Sequence, residues 1–192
     1  MNELALPAPD DAADSGAQQL RSPVTVSLAA FTSIVLAFAV LPLDHAVVAA
    51  LTGATLVVLS AIDLDRGIIP NRIVLPAAAV VLLAQVALFP DRAAEWALAA
   101  ILSALVLVLP QLVGRAWMGM GDVKLGLLLG AALGWGVVGA VLLAFLCVFP
   151  VAFLVVLRGG LAARKTTIPF GPFLALGALI MLFVPHLPGL TS

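Results

Sequence analysis

The chain has 192 residues, of which 64% are hydrophobic and only 10% are charged, and its formal net charge is −1. A soluble domain of this length could not hide so much apolar surface, so the composition indicates a membrane protein. The charge balance gives no basic surface for nucleic acid. The single cysteine, Cys147, excludes an intramolecular disulfide and a thiolate metal site. We therefore expect one all-α, polytopic helix bundle embedded in a lipid bilayer.

The first 22 residues are rich in Ala, Asp, Ser, Pro and Gln, and they include four acidic side chains. This composition cannot form a core and predicts a disordered cytoplasmic tail over residues 1–22. Its acidic start differs from the basic start of a signal peptide. An additional membrane helix over residues 23–45 and a membrane core over residues 46–192 complete the predicted organisation.

About seven transmembrane helices are predicted, and several are close to the minimum of about 17 residues for crossing a bilayer. The apolar segments cover residues 24–41, 46–62, 73–89, 96–113, 121–135, 137–157 and 173–184. The fifth is unusual, because its uncharged part covers only residues 125–135, roughly 16 Å of helix. To cross the membrane, this helix must include Asp122 and Lys124, which places a carboxylate at membrane depth.

The positive charges predict the orientation of the helices. If the N-terminus is cytoplasmic, eight of the nine Lys and Arg residues fall in cytoplasmic segments, and only Arg92 lies outside. This bias agrees with the positive-inside rule. Two spans separate Asp63, which ends the second apolar segment, from Asp122. Both carboxylates are therefore expected on the cytoplasmic side.

Two carboxylates that meet in a low-dielectric site cannot both ionise easily, so such a pair shares one proton. The ionised member can take a proton from water, while the protonated member hydrogen-bonds the scissile carbonyl. We predict that Asp63 and Asp122 form the catalytic pair of a membrane aspartic protease that uses no metal and no cofactor. Gly119 and Gly121 would let an extended substrate lie against the site and so position it.

Asp65 is the rival of Asp63 for the first catalytic position. Side chains two residues apart on a helix point to different faces, so both are not expected to face Asp122. Asp63 directly follows the apolar segment, whereas Asp65 lies beside Arg66, and this favours Asp63. Lys124 also points away from Asp122 if its segment is helical. The simpler interpretation is that the Lys124 amine reaches the lipid headgroups.

Two other site chemistries fit the sequence less well. A metal site is not expected, because His45 and His186 fall on the opposite side of the membrane from the two acids. A non-enzymatic small transporter that uses the acids as a proton or cation relay is an alternative. Such a relay predicts polar residues along several helices, but spans three, four and six contain little besides Gln85 and Ser103.

Three segments of the sequence match a known family in order and spacing. They read AIDLDRGIIPNR at residues 61–72, GMGDVKL at 119–125 and IPFGPFL at 168–174. The chain resembles the bacterial type IV prepilin peptidases, which are membrane aspartic proteases of the GxGD kind. The resemblance implies that Asp63 and Asp122 are catalytic. It also implies that the substrates are prepilins or pseudopilins, cut at the cytoplasmic face of the bacterial inner membrane.

The sequence departs from the family pattern in one respect, and the resemblance says little about the role of the third matching segment. The residues before Asp63 lack the paired cysteines of the family's methyltransferase region, so the chain resembles the short, peptidase-only form and methylation is not expected. The third segment is assigned only a packing role near the site, with Pro172 in the first turn of the last helix. A GxGD protease that acts on other membrane substrates is a further alternative.

Overall fold

The computed structural model describes residues 22–113, 119–159 and 169–184, which form seven α-helices and two 3-10 turns. The helices are α1 Pro23–Val40, α2 Leu43–Arg66, α3 Asn71–Leu88, α4 Ala93–Val113, α5 Met120–Leu133, α6 Val137–Gly159 and α7 Gly171–Phe183. The 3-10 turns are Pro90–Arg92 and Gly134–Gly136. The described residues contain no β-strand, which confirms the all-α prediction. Except for its last residue, the predicted disordered tail lies outside the described residues.

Five helical segments of the described chain are long and apolar enough to cross a membrane, fewer than the seven expected. The difference has two causes. The segment Met120–Val155 takes α5 and most of α6 as one apolar run, although a 3-10 turn separates the two helices, and α7 has only 13 residues. Helix α5 begins at Met120 and includes both Asp122 and Lys124, as its short apolar part had predicted. The chain is a multi-pass membrane protein.

Helix α5 lies at the centre of the bundle, and glycines allow it to pack closely against α4. A Cβ atom on Gly130 would overlap the carbonyl oxygen of Ala99, and one on Gly126 would overlap Leu107. Between these contacts, Ser103 donates a hydrogen bond of 2.7 Å to the Gly126 carbonyl oxygen. Gly130 thus faces the earlier part of α4, at Ala99, whereas Gly126 faces the later part, at Leu107. The two helices are therefore antiparallel.

Helices α2 and α7 are also antiparallel and enclose the other side of α5. A Cβ atom on Gly53 would contact Leu179 near the end of α7, whereas one on Gly171 would contact Asp63. The side chains packed between these helices are almost fully buried leucines: Leu56, Leu59, Leu125, Leu128, Leu129 and Leu174. We call the bundle end that holds Asp63 and Gly171 the carboxylate end, and the opposite end the far end.

The far end contains a hydrogen bond and a ring contact that do not involve Asp63 or Asp122. Gln85 is buried and donates a hydrogen bond of 2.8 Å from Nε2 to the carbonyl oxygen of Ala132, which ties α3 to α5. The His45 ring stacks on Phe89 with 4.8 Å between ring centroids. Gly134 ends α5 with φ +56°, a conformation that glycine adopts without strain. His45 therefore lies away from Asp63, while His186 falls outside the described residues.

Candidate active site

Asp63 lies in the last turn of α2 and is buried, with 7% of its surface exposed. The helix ends at Arg66, and Gly67 follows with φ +64°, the left-handed conformation typical of a helix C-terminus. The Gly67 backbone N–H donates a hydrogen bond of 2.8 Å to the Asp63 carbonyl oxygen. This glycine lets the chain turn after α2, and Ile69 in the connection that follows is buried against the bundle.

Asp122 is the third residue of α5 and is buried to a similar extent, with 8% exposed. Gly119 precedes the helix in an extended conformation, and its carbonyl oxygen accepts a hydrogen bond of 3.1 Å from the Asp122 backbone N–H. The first turn of a helix carries unpaired N–H groups and a partial positive charge, which stabilise a carboxylate there. Asp122 is thus buried where the backbone can accommodate its negative charge.

The connection between α2 and α3 brings the two acids into one site. The Ile69 side chain lies between the beginnings of α5 and α7: a Cβ atom on Gly121 would be 2.9 Å from Ile69 Cβ, and one on Gly171 would be 3.4 Å from Ile69 Cδ1. The Gly171 backbone N–H donates a hydrogen bond to the Asp63 carboxylate. The structure therefore places both predicted residues at the carboxylate end of the bundle.

Asp65 does not belong to this site. Its side chain is 55% exposed, and its carboxylate lies 3.8 Å from Arg66 Nε. The exposed ion pair points away from the buried face of α2, as expected for a residue two positions from Asp63. Asp63 is thus buried in the bundle, whereas Asp65 is exposed.

Lys124 has a different partner from the one that the sequence suggested. Its Nζ atom donates an exposed hydrogen bond to Oδ1 of Asn71, the first residue of α3. Sequence reasoning also missed Gly171 and Ile69, the residues that contact Asp63 and pack between the helices. All four residues belong to the three matching segments, but the sequence did not indicate which of them touch.

The described residues offer the two acids no metal-binding group, since no three His, Cys, Asp or Glu side chains among them cluster as ligands. What the carboxylate end does provide is two buried carboxylates, backbone N–H donors and, at Gly119, an accessible backbone. This arrangement has the form of an aspartic protease site, in which two acids share a proton and activate water.

Comparison with known families agrees with this class of protein. The model of the type IV leader peptidase family matches residues 50–161, more than half of the chain. The chain therefore belongs to the type IV leader peptidase family and is a peptidase. The match includes both Asp63 and Asp122, whereas α1 and α7 lie outside it. No curated protein and no solved structure matches the chain significantly.

Proposed function

We propose that this peptidase removes the leader peptide from type IV prepilins or pseudopilins at the cytoplasmic face of the bacterial inner membrane. Asp63 and Asp122 are its catalytic pair. The observation that carries the proposal is the presence of two buried carboxylates at the same end of the bundle, in a chain of the type IV leader peptidase family.

The proposed mechanism needs only the two carboxyl groups and water. Both acids are neutral at low pH and both are charged at high pH, so at intermediate pH the pair holds one proton. The ionised carboxylate takes a proton from a water molecule, whose oxygen attacks the carbonyl carbon of the scissile bond. The protonated carboxyl donates its proton to the carbonyl oxygen. When the tetrahedral intermediate collapses, the C–N bond breaks, the leaving amine takes the proton that the base received from water, and a hydroxyl of the intermediate returns its proton to the other carboxylate. This restores the starting state of the pair.

The two glycines before Asp122 contribute differently to this proposal. Gly119 is exposed, and a Cβ atom there would contact nothing closer than Asp122 Oδ2, at 3.6 Å. The backbone at Gly119 is therefore open, and an extended peptide can approach it. Gly121 is packed against Ile69, so its missing side chain makes room for the protein itself. We assign substrate positioning directly to Gly119 and, through the packing of the site, to Gly121.

The charges of the described residues support the cytoplasmic orientation. Arg66, Arg72 and Lys124 lie at the carboxylate end, where α2 ends and where α3 and α5 begin. Arg92 lies at the far end, where its guanidinium is paired with Glu95 at 2.8 Å. Positive charge accumulates on the cytoplasmic side of membrane proteins. A basic leader that precedes the apolar helix of a prepilin would reach the acids from that side.

A relay role for the two acids receives no support from Gln85 and Ser103, the polar residues of α3 and α4 that the sequence analysis singled out. Ser103 and Gln85 both donate hydrogen bonds to backbone carbonyl oxygens of α5. They hold helices together and do not extend a polar path from the carboxylates. No observation favours one alternative membrane substrate of a GxGD protease over another.

The proposal is tested by expressing the chain with prepilins encoded in the same genome, in a host that lacks its own prepilin peptidase. Mass spectrometry of the product identifies the cut bond, and an Asp122→Asn chain measures background proteolysis. We expect one cut between the basic leader and the apolar helix, made only by the wild-type chain. Prepilins that stay intact, while other membrane proteins are cut by the wild-type chain, would contradict the substrate assignment.

A further inference from the structure

A side-chain hydrogen bond connects the segments that carry the two acids. Lys124 lies two residues after Asp122 in the first turn of α5, and its Nζ atom donates to Asn71 Oδ1 at the first residue of α3. Asn71 is separated from the end of α2 by a short connection that contains Ile69. The hydrogen bond therefore joins the beginning of the Asp122 helix to the connection that follows Asp63.

We infer that Lys124 and Asn71 are a positioning pair that sets the separation between the two catalytic carboxylates, an inference that rests on the proposed function. Neither side chain is a catalytic residue. Their hydrogen bond keeps the α2–α3 connection against α5, and the connection keeps the end of α2 at a fixed distance from Asp122.

The packing around the connection explains why this hydrogen bond matters. Ile69 is 8% exposed and fills the space between Gly121 and Gly171. Its position determines how closely α5 and α7 approach, and Asp63 touches the first residue of α7. If the connection moved outward, Ile69 would leave this space and the acids would separate. The Lys124 hydrogen bond opposes that movement from the solvent side.

The same geometry separates a positioning role from a general structural role. Asn71 is exposed and Lys124 is half-buried, so their hydrogen bond lies at the edge of the bundle. Exposed polar pairs contribute little to the free energy of unfolding. The buried leucines between α2, α5 and α7 hold the bundle together instead. Loss of the pair should therefore lower turnover with little effect on thermal stability.

The experiment is a double-mutant cycle with Lys124→Met and Asn71→Leu, measured as kcat and KM for a purified prepilin in detergent or vesicles. We expect each single variant to lower kcat roughly 10- to 100-fold, since a displacement of about 1 Å at a reacting group costs this much. KM should change less than kcat. The double variant should be no slower than the slower single variant, because both substitutions remove the same hydrogen bond.

Conservative and control variants complete the test. Asn71→Asp keeps an oxygen acceptor for the Lys124 amine, so it should retain most of the wild-type kcat. Arg72→Met removes a neighbouring exposed cation from the same end and should leave kcat unchanged. Thermal unfolding of every variant should stay close to that of the wild-type chain.

Two results would overturn the inference. One is a wild-type kcat in Lys124→Met. The other is a double variant whose loss equals the product of the two single losses, because independent effects multiply. Both results leave the proposed function intact as long as Asp63→Asn remains inactive in the same assay. A prepilin that the wild-type chain does not cut would instead contradict the function itself.

Discussion

Replacing Gly171 with alanine would put a methyl group against the Asp63 carboxylate. The new Cβ atom would lie 2.5 Å from Oδ2 and 3.1 Å from Cγ of Asp63. Since nonbonded heavy atoms in contact are about 3.5 Å apart, the carboxylate would have to move by roughly 1 Å. A misplacement of that size at a reacting group lowers the rate on the order of 100-fold. We therefore expect Gly171→Ala to lower kcat by about this factor.

The backbone itself accepts the substitution, which isolates the effect on Asp63. Gly171 begins α7 and does not have a positive φ, and alanine favours a helix over glycine by about 1 kcal/mol. Prepilin cleavage by purified protein measures kcat, and a thermal unfolding curve measures stability. Gly136→Ala is the matched control, because a Cβ atom there would contact nothing closer than 3.6 Å. An unchanged kcat in Gly171→Ala, or an equal loss in both variants, would refute this reasoning.

Three further predictions concern other parts of the bundle. Gly121→Ala should displace Ile69, because the added Cβ atom would lie 2.9 Å from Ile69 Cβ, and it should lower kcat roughly 10-fold or more. A wild-type kcat in this variant would contradict the packing role of Gly121. Ser103→Ala should lower the free energy of unfolding by about 1 kcal/mol through the lost hydrogen bond to α5 and leave kcat unchanged, whereas a large loss of kcat would indicate a polar path. In a chain whose Cys147 has been replaced, a cysteine introduced in place of Arg92 should react with an impermeant reagent added outside whole cells. A cysteine in place of Arg66 should not react, and the reverse pattern would contradict the proposed orientation.

The membrane class and the location of the acids could be predicted from the sequence because both follow from simple constraints. The apolar part of the fifth segment is too short to cross a bilayer, so its helix had to include Asp122, and α5 begins at Met120. Two spans between Asp63 and Asp122 place both acids at the same bundle end. Asp65 could be set aside because residues two apart on a helix face different directions.

The contacts that build the site could not be predicted, because they join segments that are distant along the chain. The Lys124 amine is as compatible with a headgroup as with Asn71 until the relative position of α3 and α5 is known. Gly171 cannot be recognised as a neighbour of Asp63 until the position of α7 against α2 is known. The short length of α7, with 13 residues, and the 3-10 turn that joins α5 to α6 could not be predicted from apolar length alone either.

The central claim is that Asp63 and Asp122 act together on the scissile bond. The most direct measurement compares prepilin cleavage by purified wild-type protein with that by Asp63→Asn, Asp122→Asn and Asp65→Asn under identical conditions. Each asparagine keeps the size of the side chain but removes the acid. We predict that the first two variants lose on the order of 10⁴-fold in kcat and that Asp65→Asn keeps nearly all of it. Retained cleavage in Asp63→Asn, or lost cleavage in Asp65→Asn, would contradict the account.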